Sequence, residues 1–537
     1  MIGADAIVKC LEEEGVEYVF GYPGVAICPF YNSILSSNVK TILVRTEQNA
    51  AHAASGLARV SGKVGVCAVT SGPGATNVLT GIATAFADSI PLICITGQVN
   101  SELLGSDVFQ EADITGAAES FVKYSYLVKD ANEIPRIMKE AFYIANSGRK
   151  GPVLIDVPID VQNAAIKKYE YPKEVNLRTY KPTIKGHAVQ IKKVINELSR
   201  AKRPIICAGG GVLLSEAEKE LREFVEKHSI PVVSTMMGIG VMPTKHPMYY
   251  GMVGNNGKPY ANRAMNESDL LIMVGARVAD RAISQPDLIT ENKVLVHIDV
   301  DPAEIGKNVG AEIPLVGDAK HIFEDLSNES FNSDYRAWIE TLNQYRETMN
   351  VKRNPASEYV DPAEFIRMLS EKMQDDAVYV ADVGQNQIWS CAYHIVKNGR
   401  FLTTGGMGTM GYSIPAAMGA KLACKDRQVI AVCGDGSFQM SMMELATMRQ
   451  FNVPVKIVVL KNNYLGMVRQ FQHFTYEDNY SVVDLSGSPD LEKLAMAYDM
   501  KFMRLFTMDK AEETIQKFLE ADESMLLECV IDPMDLV

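Results

Sequence analysis

Short runs of β-branched and other apolar residues recur along the chain, each followed by a longer helical stretch. That alternation predicts parallel α/β units, because a strand buried on both faces reads as a near-continuous apolar run. The pattern falls into three blocks. The first opens with MIGADAIVKCLEEEGVEYVFG, an amphipathic helix running into a strand, and predicts further strands at TILVR (41–45), VCAVT (66–70), PLICITG (91–97) and PVLIDVP (152–158). A charged segment, KKYEYPKEVNLRTYKPTIKG (167–186), breaks the pattern and reads as a linker. The second block predicts strands at PIICAGG (204–210), DLLIMVGA (269–276) and KVLVHIDV (293–300), then a polar helical stretch. After a second linker, MNVKRNPASEYVDP (349–362), the third predicts AVYVADVG (377–384), VIAVC (429–433), VKIVVL (455–460) and MLLECVID (525–532). The fold class expected is α/β, with three consecutive parallel-sheet domains at 1–166, 185–345 and 360–537.

Composition narrows the function classes. The 537 residues are 47% hydrophobic and 22% charged, an ordinary globular profile that excludes a disordered or collagen-like chain. Acidic residues outnumber basic ones, 66 to 53, for a net charge of −13, which argues against a nucleic-acid partner. It leaves room for anionic cofactors, since backbone N–H groups at helix starts bind phosphate in acidic proteins too. Nine cysteines without a C-x-x-C pair point to a reducing compartment. No apolar run approaches the ~18 residues of a membrane span, and the N-terminus lacks a signal-peptide pattern. A cytoplasmic protein without membrane contact is expected.

The chemistry concentrates at strand ends. VIAVC stops at Gly434-Asp435-Gly436-Ser437, and VKIVVL ends at Lys461-Asn462-Asn463. If the two strands are parallel in one sheet, Asp435 and Asn462 emerge at the same carboxyl edge, where open α/β sheets bind ligands. One carboxylate and one amide oxygen suit Mg²⁺, which keeps water and phosphate oxygens as its other ligands. G-D-G by itself favours an ordinary helix-capping turn; GDGS followed at this distance by N-N is far more specific. In the first block Glu47 follows TILVR at the start of an Ala-rich helix, where an acidic residue by itself is ordinary dipole complementarity. TSGPGATN (70–77) is a backbone-exposing turn. G-x-S-x-G, H-E-x-x-H and the P-loop pattern are all absent, so an enzyme built this way needs a cofactor to carry the hard chemistry.

With these motifs the chain resembles the thiamine-diphosphate-dependent 2-oxoacid enzymes, and within them the catalytic large subunit of acetolactate (acetohydroxyacid) synthases. The resemblance runs nearly the whole length, through VFGYPG (19–24), RTEQNAAHAASG (45–56), GKVGVCAVTSGPGATN (62–77), DSIPLICITGQV (88–99), DVFQEADI (107–114), SGRKGPVLIDVP (147–158), HIDVDPAEIGKN (297–308), TTGGMGTMGYSIPAA (403–417) and LGMVRQF (465–471). It implies an aminopyrimidine-binding first domain, a middle domain and a diphosphate-binding third domain.

Roles follow from the resemblance. Glu47 would hydrogen-bond N1′ of the aminopyrimidine, favouring the 4′-imino form that removes the C2 proton, and Met410 would wedge the cofactor into its bent shape. Gln110 joins them as a catalytic residue. Asp435, Asn462 and the Tyr464 carbonyl would hold Mg²⁺. Pro73, Asn77, Val383, Gly384, Gln385, Asn386, Gly408, Gly434, Gly436, Ser437 and Met467 would contact the cofactor. Val25, Ala26, Phe109, Lys123 and Phe471 would line the substrate pocket. FAD, structural rather than redox-active, would occupy the middle domain beside Arg149, Gly209, Gly210, Gly211, Gly275, Arg277, Arg281, Asp299 and Asp318. The implied reaction decarboxylates pyruvate and transfers the two-carbon unit to a second 2-oxoacid, giving 2-acetolactate for branched-chain amino acid biosynthesis. The implied assembly is a homodimer or homotetramer, with room for a small regulatory subunit.

Several positions depart from the family pattern. Y-P-G-G-A reads Tyr22-Pro23-Gly24-Val25-Ala26, with a β-branched side chain beside the substrate space. A common Trp is Phe471, a cavity difference worth about 1–3 kcal/mol in acceptor selectivity. V-G-Q-H reads V-G-Q-N, with Asn386 able to donate to phosphate, and Lys461 takes the first place of N-N. In the FAD region F-D-D-R reads Val278-Ala279-Asp280-Arg281, and Asn256 stands where a His is usual. The chain ends at IDPMDLV, without a longer tail. These departures keep a second reading open, another thiamine-diphosphate-dependent 2-oxoacid decarboxylase, carboligase or acyl-transferase; against a third, a noncatalytic homologue, stand the intact Glu47, Asp435 and Asn462.

Overall fold

Three six-stranded sheets, every strand pair parallel, make the framework of the computed structural model, which describes residues 1–283, 285–332, 334–349 and 358–537. Residues 350–357 of the second predicted linker lie outside the described residues. The first sheet comprises β1 (Tyr18–Tyr22), β2 (Lys40–Leu43), β3 (Gly65–Val69), β4 (Leu92–Gln98), β5 (Tyr124–Leu127) and β6 (Pro152–Pro158), in the order 2-1-3-4-6-5. The second comprises β7 (Pro204–Ala208), β8 (Val232–Ser234), β9 (Tyr249–Met252), β10 (Leu270–Val274), β11 (Val294–Asp299) and β12 (Ile313–Val316), in the order 12-11-10-7-8-9. The third comprises β13 (Val378–Ala381), β14 (Arg400–Leu402), β15 (Val429–Gly434), β16 (Lys456–Lys461), β17 (Lys501–Leu505) and β18 (Met525–Val530), in the order 14-13-15-16-18-17.

Counted within each domain, the first and third sheets share one strand order, so the same fold occurs twice. The order reverses between β1 and β3, and between β13 and β15. The middle sheet is the doubly wound order of dinucleotide-binding domains, reversing between β7 and β10. Ligands of such sheets bind outside the carboxyl ends at the reversal, so topology alone nominates three clefts. The central strands carry no polar face: VCAV, LICIT, IICA, LLIMV and VIAVC are buried throughout.

The first and third domains touch through two helices poor in bulk. Glu47–Ser61 begins at Thr46, whose side chain caps the Asn49 N–H, and ends at Gly62 in the left-handed region. It packs on Ser413–Ala423 so closely that a Cβ on Gly56 would lie 1.9 Å from the Ala416 carbonyl oxygen. A Cβ on Gly419 would lie 1.8 Å from the Ala53 oxygen. The predicted linker at 167–186 is not loose: Tyr169, Tyr171, Leu177 and Tyr180 pack on the core of the first domain. The charged residues between them hid those anchors. Among the described residues no helix is long and apolar enough to cross a membrane.

Candidate active site

Strands β15 and β16 run side by side, with Gly434 paired to Leu460, so Asp435 and Asn462 leave the sheet together at its carboxyl edge. Asp435 opens the helix Asp435–Ser441 and is 2% exposed; its Oδ2 accepts the Asn463 N–H at 2.8 Å. Burial pushes its carboxyl up to about 6. Asn462 Oδ1 accepts the Tyr464 N–H at 2.9 Å, closing a turn that Asn463 makes possible with φ +58°. Asn462 Nδ2 donates to Gln385 Oε1 at 3.3 Å. Among the described residues no group of three His, Cys, Asp or Glu side chains could hold a metal. Asp435 and Asn462 bring one carboxylate and one amide oxygen to this edge, hard oxygens of the kind Mg²⁺ takes alongside phosphate.

Beside it lies the end of β13. Asp382 is fully buried, and its carboxylate accepts three backbone N–H groups: Val383 at 2.8 Å, Gly411 at 2.9 Å and Ser413 at 2.7 Å. One side chain thus ties the 383–386 segment to the turn that follows Met410. Gly384 sits at φ +138°, a region open to glycine. Asn386 is turned inward, its amide donating to the Asp382 carbonyl at 2.8 Å and towards that of Val432 at 3.4 Å. The expected side-chain donation to phosphate from Asn386 is therefore spent on the loop itself. Gln385 likewise donates to Gln470 at 3.0 Å and to the Asp535 carbonyl at 2.9 Å. Met410 lies against the G-D-G turn, where a Cβ on Gly436 would stand 3.5 Å from its Cε. Ser437 accepts the Gly434 N–H at 3.1 Å.

The first domain brings a second group to the corresponding edge. Asn77 donates to Glu47 Oε2 at 3.1 Å, and a Cβ on Gly74, one residue after Pro73, would lie 3.3 Å from Glu47 Oε1. The 70–77 turn also meets Gln110: a Cβ on Gly72 would stand 2.9 Å from the Gln110 Cβ, and both residues have φ near +60°. Ala26 is buried, its carbonyl accepting Gln162 at 2.7 Å, whereas Val25 is 76% and Phe109 86% exposed. Phe471, on the helix Gly466–Thr475, is also exposed. Lys123 takes none of these neighbours. Its ammonium donates to the carbonyls of Ile144 and Ser147 and to the Tyr180 hydroxyl, and burial lowers it to about 7.

A cavity of about 720 Å³ opens between the domains and joins two of the predicted sites: Arg149, Gly210, Gly211, Gly275, Arg277, Arg281, Asp299 and Asp318 line it together with Val383, Gly408 and Met467. Its floor is the strand reversal of the middle sheet. Gly209 and Gly211 press on Gly275, the Gly211 N–H donating to the Gly275 carbonyl at 2.9 Å. Asp299, at the end of β11, is pushed up to about 6 by burial. Asp318 caps the helix Ala319–Asn328. Arg149 is held by Glu304 at 2.7 Å and Asp301 at 3.3 Å.

Sequence reasoning passed over Asp382, Glu444 and the buried pair Arg59–Asp88, 3.1 Å apart, whose Asp88 also accepts the Gly406 N–H at 2.8 Å. Asp382 had one signal, an acid ending a wholly apolar strand. Glu444 and Arg59 stand inside helical stretches and carry none, and Asp88 opens the DSIPLICITGQV motif without a role marked by it.

Three family models match the chain: thiamine pyrophosphate enzyme, N-terminal TPP binding domain, over 1–117; the central domain of the same enzymes over 191–326; and their C-terminal TPP binding domain over 382–529. The "probable acetolactate synthase large subunit" of Methanocaldococcus jannaschii is 44% identical, across 100% of this chain and 93% of its own length. The "acetolactate synthase large subunit" of Lactococcus lactis is 42% identical, across 100% and 93%. The "acetolactate synthase isozyme 3 large subunit" of Escherichia coli is 41% identical, across 96% and 92%. Three domains in order and relatives matched along almost their full length lead to one conclusion: the chain belongs to the acetolactate synthase large-subunit family of thiamine pyrophosphate enzymes.

Proposed function

We propose that this chain is the catalytic subunit of an acetolactate synthase, which joins two 2-oxoacids with loss of CO₂ from the first to give 2-acetolactate. The observation that carries the reading is the meeting of Asp435 and Asn462 at one sheet edge, in a chain aligned along its length with acetolactate synthase large subunits. In this reading 1–166 takes the aminopyrimidine, 185–345 FAD, and 360–537 the diphosphate and Mg²⁺.

Bound thiamine diphosphate would supply the nucleophilic carbon and electron sink that the side chains lack. Asp435, Asn462 and the Tyr464 carbonyl would hold Mg²⁺; a divalent cation there favours the ionised form of a carboxyl that burial otherwise disfavours. Backbone N–H groups of 384–386, 436 and 437 would receive the diphosphate, with Asn386 keeping its loop in shape. Glu47, steadied by Asn77, would hold a proton at N1′ of the aminopyrimidine, with Pro73 and Gln110 alongside. Met410 would support the cofactor from below, in line with its place against Gly436.

The middle cleft fits FAD as a structural group. Its dinucleotide strand order, Arg277 and Arg281 for phosphates, and Asp299 and Asp318 for ribose hydroxyls all support that fit. Val25, Phe109 and Phe471 are exposed apolar residues around the two half-sites. A second copy of the chain would cover them, bringing the first domain of one subunit to the third domain of its partner, as a homodimer or homotetramer, with a small regulatory subunit as a further partner. Nine unpaired cysteines support a cytoplasmic setting.

The test mixes purified protein with thiamine diphosphate, Mg²⁺ and pyruvate and follows pyruvate loss, CO₂ and acetolactate. Acetolactate that requires both cofactors is the expected result. Pyruvate consumed without acetolactate would assign another carboligase or decarboxylase, and no cofactor binding would overturn the reading.

A further inference from the structure

The turn that carries Glu47 is held by the other end of the chain. Between β2 and the helix Glu47–Ser61, the Arg45 N–H donates to Glu444 Oε1 at 2.8 Å, and Asn49 Nδ2 donates to the same oxygen at 2.9 Å. A single oxygen of the third domain therefore takes hydrogen bonds from positions two before and two after Glu47. Two further residues of the helix Glu444–Gln450, at three-residue spacing and so on one face, complete the grip. The Thr447 hydroxyl lies 3.0 Å from the Leu43 carbonyl and 2.7 Å from Glu444 Oε2. Gln450 accepts Arg45 Nη2 at 2.7 Å.

Glu444 is fully buried. A buried carboxylate is costly unless its oxygens are hydrogen-bonded, and here both have partners, two of the three belonging to the Glu47 turn and the third, Thr447, reaching the Leu43 carbonyl before it. A structural pin between domains would need only the glycine-lined contact of the Glu47–Ser61 and Ser413–Ala423 helices, which already joins them. The bracket does something that contact does not: it fixes the backbone direction from which the Glu47 side chain departs. Displacing a reacting group by about 1 Å is enough to cost on the order of 100-fold in rate.

We propose that Glu444 is a positioning residue for Glu47, aiming its carboxylate at the cofactor by bracketing residues 45 and 49 from the opposite domain. The proposal rests on the role given to Glu47 above. It concerns geometry, so it predicts that the shape of residue 444 matters more than its charge. Glu444→Gln keeps an acceptor oxygen for Arg45 and Asn49 and presents an amide to the Thr447 hydroxyl. Glu444→Ala removes the bracket.

Three readouts separate this from a merely structural role: amide exchange over 43–50 in the cofactor-free chain, the affinity for thiamine diphosphate, and the C2 hydrogen–deuterium exchange of bound thiamine diphosphate followed by NMR. Glu444→Ala is expected to speed amide exchange at Arg45 at least tenfold and to slow C2 exchange and kcat together at least tenfold. Its cofactor affinity should stay within about threefold of wild type, since the Mg²⁺ edge is untouched. Glu444→Gln should restore all three readouts to within about threefold. If Glu444→Ala fails to fold, Asn49→Ala removes one arm of the bracket and leaves the carboxylate in place; it should slow C2 exchange by a smaller but measurable factor. Wild-type C2 exchange per folded site in both alanine variants would overturn the proposal. Wild-type enzyme that exchanges C2 but forms no acetolactate would overturn only the assigned reaction, because exchange precedes substrate. No exchange in wild type would overturn both.

Discussion

Asp382 accepts the Gly411 backbone N–H at 2.9 Å, joining the start of the 383–386 segment to the turn that leaves Met410, 29 positions on. With Val383 and Ser413 as its other donors, the carboxylate sets the spacing between the 383–386 segment and the turn at Met410. Asp382→Asn points an amide at N–H groups that can only donate, losing at least one charge-assisted bond worth about 1.5–3 kcal/mol. The expected result is a weakening of thiamine diphosphate affinity by about 10-fold or more, together with a lower kcat, read by fluorescence titration and acetolactate formation. Unchanged affinity would mean that the two segments keep their spacing without the carboxylate.

Glu47→Gln retains the size of the side chain and its contact with Asn77 but cannot hold a proton in the same way. A loss of about 10²–10⁴-fold in kcat is expected, the range for a positioned proton-transfer group, with cofactor affinity nearly preserved. Turnover at the wild-type rate would remove Glu47 from the mechanism.

Gly56 lies where an added Cβ would enter the Ala416 carbonyl at 1.9 Å, and backbone cannot step aside. Gly56→Ala should therefore cost about 1–3 kcal/mol, the usual range for overpacking, and lower the thermal midpoint. Calorimetry decides it: an unchanged midpoint would show that the two helices separate freely.

Asp156 is buried between Thr96, which donates to it at 2.6 Å, and Gln98, which donates at 2.9 Å and also holds the Ala112 carbonyl at the base of the loop with Gln110. Burial pushes its carboxyl from 3.8 up to about 7. The folded chain thus holds this proton more tightly than the unfolded chain. The stabilisation is complete below about pH 4, declines as pH rises to about 7 and is then constant. Asp156→Asn should flatten that slope in urea midpoints taken between pH 4 and 8; an equal slope in both proteins would assign it to other groups.

The three sheets were legible because their central strands are buried on both faces and written almost wholly in Val, Ile, Leu, Ala and Cys. The edges were harder. β14 is RFL, β17 is KFMRL and β5 is YSYL, short edge strands without a long continuous apolar run. Asp435 and Asn462 were legible from spacing, since one crossover separates them. Glu444 was not, because a Glu in a helix reads as a solvated face until the structure puts Arg45 and Asn49 beside it. Asn386 illustrates a finer limit: its place in the motif was plain, yet the direction of its amide depends on Asp382 and Val432, which no motif records.

The partner of the Arg45 N–H lies 399 positions downstream, and this separation sets an order of events. A ribosome adding about 5–20 residues per second needs on the order of 20–80 s to pass from one to the other. Throughout that interval the first domain can complete its sheet, but the turn at residues 43–49 must keep its polar groups in water. A newborn first domain therefore carries its sheet before the turn beside Glu47 has its partner. Only the last third of the same chain brings Glu444 to that turn.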